Sequence, residues 1–345
     1  MIQRTPTRIE AHLADDDRSW QQLLSESITS PEVLLERLEL APERWLAGAR
    51  AGHELFPVRV PEPFLNRINK SDPEDPLLKQ VLPLDQESLT VPGFMRDPLE
   101  EGGAIQTTGL IRKYRSRALL MVTGQCAINC RYCFRRHFPY EDQRLSPEDR
   151  QHVIDTLSAS PEINEVILSG GDPLAVNDRL LAQWASDLSA IPHIRRLRLH
   201  TRLPVVIPQR VCDALLNWLA ATPVQVIMVL HINHPAEIDD ATRRALGKLR
   251  AAGVTLLNQS VILRGVNNDP DVLEALSETL FDAGVLPYYL HAFDPVEGAH
   301  HYDVADEEAR NLVQVLLARL PGFLVPKLVR EVPGREGKSP INLFP

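Results

Sequence analysis

Cys126-Ala127-Ile128-Asn129-Cys130-Arg131-Tyr132-Cys133, followed at once by Phe134-Arg135-Arg136-His137, decides how the rest of this chain is read. Three of the four cysteines in 345 residues fall in these eight positions, spaced C-x3-C-x2-C. Three thiolates on one short loop can hold three irons of a [4Fe-4S] cube and leave the fourth iron open to another ligand. A Cys3His zinc site recruiting His137 is a second reading of the same residues. Zinc sites of that kind usually pair two short knuckles, however, and the sequence has only one. A disulfide framework is not expected in a chain this long with so few cysteines. Cys212 stands apart, in an amphipathic pattern that reads as a helix with the thiol buried.

The length suggests two units, or one large barrel with additions. With 44% apolar residues, the chain can bury a substantial core. A formal charge of −9 argues against binding to a nucleic-acid backbone. Met1-Ile2-Gln3-Arg4 leads into polar sequence without a signal-peptide apolar region, and no apolar run approaches the roughly 18 residues that span a bilayer. The expectation is a cytoplasmic protein with no nucleic-acid and no membrane partner.

Outward from the cysteines, short apolar runs alternate with helical patterns. The strands predicted are Ala118–Thr123, Glu165–Ser169, Arg196–His200, Val224–His231, Thr255–Ile262 and Pro287–Phe293. Amphipathic segments lie near 147–159, 177–189, 208–220, 236–252, 270–283 and 305–319. Six strands alternating with six helices imply an α/β fold with a parallel sheet and right-handed crossovers, doubly wound or barrel-like. Residues 1–97 read instead as helices and Pro-rich connections that wrap a surface and carry no chemistry. Ser30-Pro31-Glu32 there is a helix start, with a capping serine and a proline at the first helical position.

Ligands collect at the C-terminal ends of parallel strands, and the polar motifs fall there. The cysteine loop follows the first strand. Ser169-Gly170-Gly171-Asp172-Pro173-Leu174 follows the second; its glycines let backbone approach a ligand and Asp172 offers an acceptor. His200-Thr201-Arg202, His231-Ile232-Asn233-His234, Asn258-Gln259-Ser260 and His291-Ala292-Phe293-Asp294 end later strands. Singly, each is an ordinary polar residue; their recurrence at one edge is the argument. In the tail, Pro333-Gly334-Arg335-Glu336-Gly337-Lys338-Ser339 is not a phosphate loop, because the first glycine of G-x-x-x-x-G-K-[ST] would fall on Val332. A lysine on a glycine-flanked loop remains, ordinarily a solvated surface residue.

Together these motifs resemble the lysine 2,3-aminomutase family of radical S-adenosylmethionine enzymes, which also carry pyridoxal phosphate. The resemblance covers roughly residues 97–345 and rests on Cys126-x3-Cys130-x2-Cys133-x-Arg135-Arg136, Ser169 to Leu174, Asn258-Gln259-Ser260-Val261, and Pro333-Gly334-x-x-Gly337-Lys338, all in family order. It implies an open (β/α)6 partial TIM-type barrel over 98–320, an N-terminal helical extension over 1–97, and a short segment over 321–345 carrying the pyridoxal phosphate lysine. It also implies three cofactors: a [4Fe-4S] cluster on Cys126, Cys130 and Cys133, S-adenosylmethionine, and pyridoxal 5′-phosphate linked to Lys338 as the catalytic lysine. Arg117 would contact pyridoxal phosphate, and Ser169, Gly170, Gly171, Asp172, His231 and Gln259 would line the S-adenosylmethionine site. Arg135 would hold the substrate carboxylate as a bidentate partner, and Asp294 and Glu331 the distal ammonium of L-lysine.

The implied activity is an isomerase reaction, radical migration of the amino group that turns L-lysine into (R)-β-lysine, fed by an external electron donor. The chain stops seven residues after Lys338, and it resembles the short members associated with elongation factor P, whose product a separate ligase attaches to that factor. Three positions depart from longer members: Glu331 replaces a shorter aspartate, Asp269 stands where they carry a metal-binding cysteine, and His291 stands where an aromatic is expected near the pyridoxal ring. The rival readings are an aminomutase making free β-amino acids and a zinc-stabilised interaction protein without catalysis; a homo-oligomer suits the enzyme readings.

Overall fold

The structure is a computed structural model, and it describes residues 18–344. At its centre lies one sheet of ten strands in chain order: β1 (Ile105–Thr107), β2 (Leu110–Ile111), β3 (Arg117–Thr123), β4 (Glu165–Gly170), β5 (Arg196–Thr201), β6 (Gln225–Leu230), β7 (Thr255–Val261), β8 (Leu286–His291), β9 (Lys327–Arg330) and β10 (Ser339–Pro340). From β3 to β9 each strand runs parallel to the next. Antiparallel pieces extend the two sides, β1 and β2 beside β3 and β10 beside β9. The two ends of this order do not pair with each other, so the sheet is open. This is the α/β partial barrel expected, with one parallel strand more than six. Lys327-Leu328-Val329-Arg330 holds only two apolar residues, too few to signal a strand by pattern.

Alternation along the strands sets the two faces of the sheet. In β5, Leu197 and Leu199 are buried in the main core under the helices, while Arg198 and His200 line the cavity on the other side. In β7, Leu256 packs in that core and Gln259 and Val261 face the cavity. Asn258 and Ser260 point away from the cavity, and both bond the backbone of Ile232 just past β6.

The helices start where sequence chemistry places them. Ser146, Asn177, Asp239 and Asp269 each cap a helix, at Pro147–Ser158, Asp178–Ser189, Asp240–Ala251 and Pro270–Asp282. Asp269 accepts from the amides of Asp271 and Val272, which gives its carboxylate a structural task at the position of the missing cysteine. The segment expected as one helix over 208–220 divides into a 3-10 turn, Pro208–Arg210, and a helix, Asp213–Ala221. Cys212 is therefore the residue before the second helix and only partly buried, which corrects its reading as a buried helical thiol.

Ser30 caps the helix Pro31–Arg37 as its sequence indicates. Beyond it the Pro-rich stretch forms turns, among them Leu78–Gln80 and Asp85–Ser88. Its Phe64, Leu77, Leu78 and Val81 are buried in the same core as Leu120 of β3 and Leu168 of β4.

Gly170 and Gly171 are required by close packing of the chain on itself. Gly170 has φ +129°, and a Cβ there would lie 2.1 Å from the Thr123 carbonyl oxygen. A Cβ on Gly171 would lie 2.3 Å from the oxygen of Gln125. The Gly171 and Asp172 amides bond those two carbonyls, at 2.8 and 2.7 Å. The glycines thus dock the β4 turn onto the run leading into Cys126, and both also line the cavity described below. Gly170→Ala should lower stability by roughly 2–4 kcal/mol in urea unfolding. Gly247→Ala, in a helix with no atom within 4 Å of the new Cβ, should raise it by roughly 0.5–1 kcal/mol.

Candidate active site

A cavity of about 350 Å³ opens at the C-terminal ends of the parallel strands. Every residue singled out by sequence as a site residue lines it: Cys126, Cys130, Cys133, Arg135, Arg117, Ser169 to Asp172, His231, Gln259, Asp294, Glu331 and Lys338. The cysteines enter from the loop after β3 and Lys338 from the turn before β10. A stretch of more than 200 residues separates them in sequence; the sheet brings them to one chamber.

The cysteine loop has no helix or strand of its own and is held by its other side chains. Arg131 is fully buried and donates from Nε to Glu87 Oε1 at 2.9 Å, and to the carbonyls of Phe56 and Gly52 at 2.6 and 3.0 Å. Arg136 donates to the other Glu87 oxygen at 2.7 Å. Asn129 donates to the Pro57 carbonyl at 2.9 Å, and the Arg131 amide to the Gln80 carbonyl at 2.9 Å. Residues 52–87 thus form the back wall of the loop. Sequence reading found no chemistry there, because Gln80 and Glu87 belong to no local motif.

Burial pushes Cys126 well above its ordinary value and Cys133 up to about 11, and the neighbouring sulfurs add to both. Protons therefore stay on Cys126 and Cys133 until a cation displaces them. Among the described residues, no three His, Cys, Asp or Glu side chains converge closely enough for one metal ion, and His137 Nε2 is 3.1 Å from the Glu297 carbonyl oxygen. All three sulfurs open on the one cavity, as a multi-iron cluster requires, while His137 is engaged by a backbone carbonyl.

Asp172 is buried and fully employed. One carboxylate oxygen accepts from Thr201 Oγ1 at 2.7 Å and the Leu174 amide at 3.0 Å; the other accepts from the amides of Arg202 and Leu203 at 2.8 and 3.0 Å. It ties the β4 turn to the β5 turn, and its carboxylate is not the free acceptor expected. His231 contacts the Tyr132 hydroxyl at 3.0 Å, and burial lowers it to about 4, so its ring is neutral.

The other half of the cavity holds alternating charges. Arg135 is clamped by Glu101, Nε to Oε2 at 2.6 Å and Nη2 to Oε1 at 2.8 Å, while Nη1 donates to Ser169 Oγ at 3.1 Å. Burial alone would raise Glu101, but Arg135 and Lys113 hold it at about 2. Lys113 lies 3.1 Å from Glu101 and 3.9 Å from Glu331. Glu331 accepts from Lys338 Nζ at 2.8 Å and from the Tyr114 hydroxyl. Arg117 lies 3.8 Å over the Tyr114 ring. Asp294 is the exception: burial raises it to about 7 against the pull of Lys338, and its Oδ1 is buried without a hydrogen-bond partner. Sequence reading missed Glu101, Lys113 and Tyr114, which precede the parallel sheet and carry no motif.

Most of the chain matches proteins of one family. L-lysine 2,3-aminomutase of Escherichia coli is 48% identical over 94% of this chain and 94% of its own length. That of Haemophilus influenzae is also 48% identical, over 94% and 96%. The Clostridium subterminale enzyme of the same name is 34% identical over 94% of this chain and 78% of its own. The chain belongs to the lysine 2,3-aminomutase family. A family model for the Radical SAM superfamily matches residues 120–276, the span that opens on β3 and contains the cysteine loop.

The buried Arg131–Glu87–Arg136 triad gives this aminomutase-family chain a specific weak point. Removing one charge from a buried ion pair costs roughly 3–5 kcal/mol because its partner stays desolvated. Glu87→Gln should lower unfolding free energy by about that amount, read from the urea midpoint, although Glu87 touches neither thiol nor cavity lysine.

Proposed function

We propose that this chain is a radical isomerase that converts L-lysine to (R)-β-lysine, using a [4Fe-4S] cluster, S-adenosylmethionine and pyridoxal phosphate. One observation carries the reading: the three clustered thiols and Lys338 open on the same cavity, with Glu331 and Asp294 beside the lysine. The relatives of 48% identity support it, since both are L-lysine 2,3-aminomutases. When bound, the cluster and S-adenosylmethionine supply hydrogen-atom abstraction, and pyridoxal phosphate supplies the π-system across which nitrogen moves.

The chain's own residues bind, orient and shield. Cys126, Cys130 and Cys133 hold three irons. Ser169, Gly170, Gly171, His231 and Gln259 line the space for S-adenosylmethionine, and Asp172 braces that wall from behind. Lys338 carries pyridoxal phosphate, with Arg117 as a cationic contact. Arg135, oriented by Glu101, takes the substrate carboxylate on its remaining N–H groups. Asp294 and Glu331 take the side-chain ammonium at the other end. In the ligand-free chamber Glu331 neutralises Lys338; once the cofactor engages that lysine, Glu331 is free to accept a second ammonium. Buried walls exclude water around the reacting carbons.

Within this reading the parts are an N-terminal region over 1–97, the catalytic sheet over 98–320 and the lysine-bearing segment over 321–345, of which residues 1–17 and 345 lie outside the described ones. The chain spans nearly the full length of the Escherichia coli and Haemophilus influenzae proteins and less of the clostridial one. That kinship supports a short-form role in which β-lysine is made in the cytoplasm for a ligase that attaches it to elongation factor P. A homo-oligomer and an external electron donor complete the proposal.

Anaerobic protein incubated with lysine, dithionite, S-adenosylmethionine and pyridoxal phosphate should yield (R)-β-lysine by chiral amino-acid analysis; iron-loaded protein that leaves lysine unchanged overturns the reading. Co-expression with elongation factor P and its ligase should add the mass of a lysyl residue, lysine less one water, to the factor, whereas β-lysine accumulating free with no such adduct points to the rival role. Lys338→Ala should lose the borohydride-reducible linkage to pyridoxal phosphate and keep its iron. The pH dependence has a defined sign. Asp294 is protonated below about 7, and an ammonium binds the carboxylate, so KM for lysine should fall as pH rises through 7. Asp294→Asn should raise KM roughly 10- to 100-fold and flatten that dependence.

A further inference from the structure

Arg202 lies at the end of β5, points to the cysteine loop and has no part in the proposed binding of lysine. Its Nη1 donates to Cys130 Sγ at 2.8 Å. Its Nη2 donates to Gln80 Oε1 at 2.6 Å and Glu237 Oε2 at 2.8 Å. Glu237 is itself buried and accepts from the Asn233 and His234 amides at 2.9 and 3.1 Å and from Gln80 Nε2 at 3.3 Å. The guanidinium also lies over the rings of Phe64 and Tyr132, at 5.3 and 5.8 Å. A planar cation held from several sides cannot turn its N–H away from the sulfur.

We propose that Arg202 raises the reduction potential of the iron–sulfur cluster by fixing an N–H···S hydrogen bond on the Cys130 thiolate, and that Gln80 brings the N-terminal layer into that control. The inference rests on the cluster reading given above. Reduction adds one electron, supplied by an external donor, to a cluster whose thiolates already bear negative charge. A hydrogen-bond donor on a ligating sulfur stabilises the added charge, and hydrogen bonding to sulfur is among the factors that set such potentials. Arg202 and Glu237 are buried, so the attraction is stronger than it would be in water. Glu237 opposes it, but it bonds the other arm of the guanidinium, and its charge is spread over three further donors. The positive end of the pair therefore faces the sulfur.

Arg202→Gln alone would leave Glu237 buried without its cation, so the informative proteins are Arg202→Lys and the charge-neutral double variant Arg202→Gln/Glu237→Gln. Each is reconstituted anaerobically with iron and sulfide and titrated with dithionite against redox mediators, following the reduced cluster by electron paramagnetic resonance. The double variant should show a lower midpoint, its reduced-to-oxidised ratio at a fixed potential falling about tenfold, which is about 59 mV for one electron. Arg202→Lys should fall between it and the unaltered protein. Midpoints equal to or above that of the unaltered protein overturn the proposal, as does a folded double variant that takes up no iron, which would make Arg202 an assembly residue. Unaltered protein with no cubane signal sinks the cluster reading itself, an outcome separate from any failure of Arg202.

Discussion

The buried contact between Glu87 and the two arginines of the cysteine loop is the constraint on which the rest of the site depends. The cysteine loop closes only turn-like hydrogen bonds within itself, from the Cys133 amide to the Cys130 carbonyl at 3.0 Å and from the Arg136 amide to the Cys133 carbonyl at 3.2 Å. The rest of its shape is set from outside. Arg131 and Arg136 sit between the cysteines and the N-terminal layer, and a single carboxylate takes both. Desolvating three charged groups is costly, and such clusters stabilise a fold less than apolar packing does. What they add is direction: a planar guanidinium with several fixed acceptors has one orientation. The sulfurs inherit it.

The same logic of fixed charge runs through the other half of the chamber. Arg135, Glu101, Lys113, Glu331 and Lys338 alternate in sign from the cysteine loop to the tail. Each cation of this run has a carboxylate beside it, and Glu101 and Glu331 are each shared between two. Asp294 stays outside this chain. With no hydrogen-bond donor on Oδ1 and little solvent, it holds its proton near neutrality. A carboxyl left short of a partner in an otherwise paired set marks where a cationic group from outside belongs.

The sheet, its direction and the edge on which the motifs gather were legible because each rests on local periodicity or capping. Ser30 announces its helix, and the cysteine spacing announces itself. Side chains at strand ends were legible for a different reason: a parallel sheet collects them at one rim whatever lies between. Glu87, Gln80 and Glu101 were not legible. They act across 34 to 122 residues of chain, and nothing beside them in sequence marks them off from surface acids and amides. Asp172 shows the opposite error. Its motif signalled the right place, but which atoms of that turn face a ligand depends on Thr201 and the amides that claim its carboxylate.

The histidines of the chamber bear on the cationic substrate proposed for it. His200, His231 and His291 all line the cavity, and burial, reinforced by neighbouring cations, keeps each ring neutral. A charged imidazole would compete with an incoming ammonium for Glu331 and would repel a sulfonium. A neutral one offers an apolar face and a weak acceptor, at no electrostatic cost to either ligand. His291, where an aromatic was expected, is held neutral by its burial and then by Lys338, and its ring lies edge-on to Tyr289 at 5.7 Å. Burial first, and the cations of the wall second, keep these imidazoles uncharged, so they do not compete with the proposed substrate for Glu331 and Asp294.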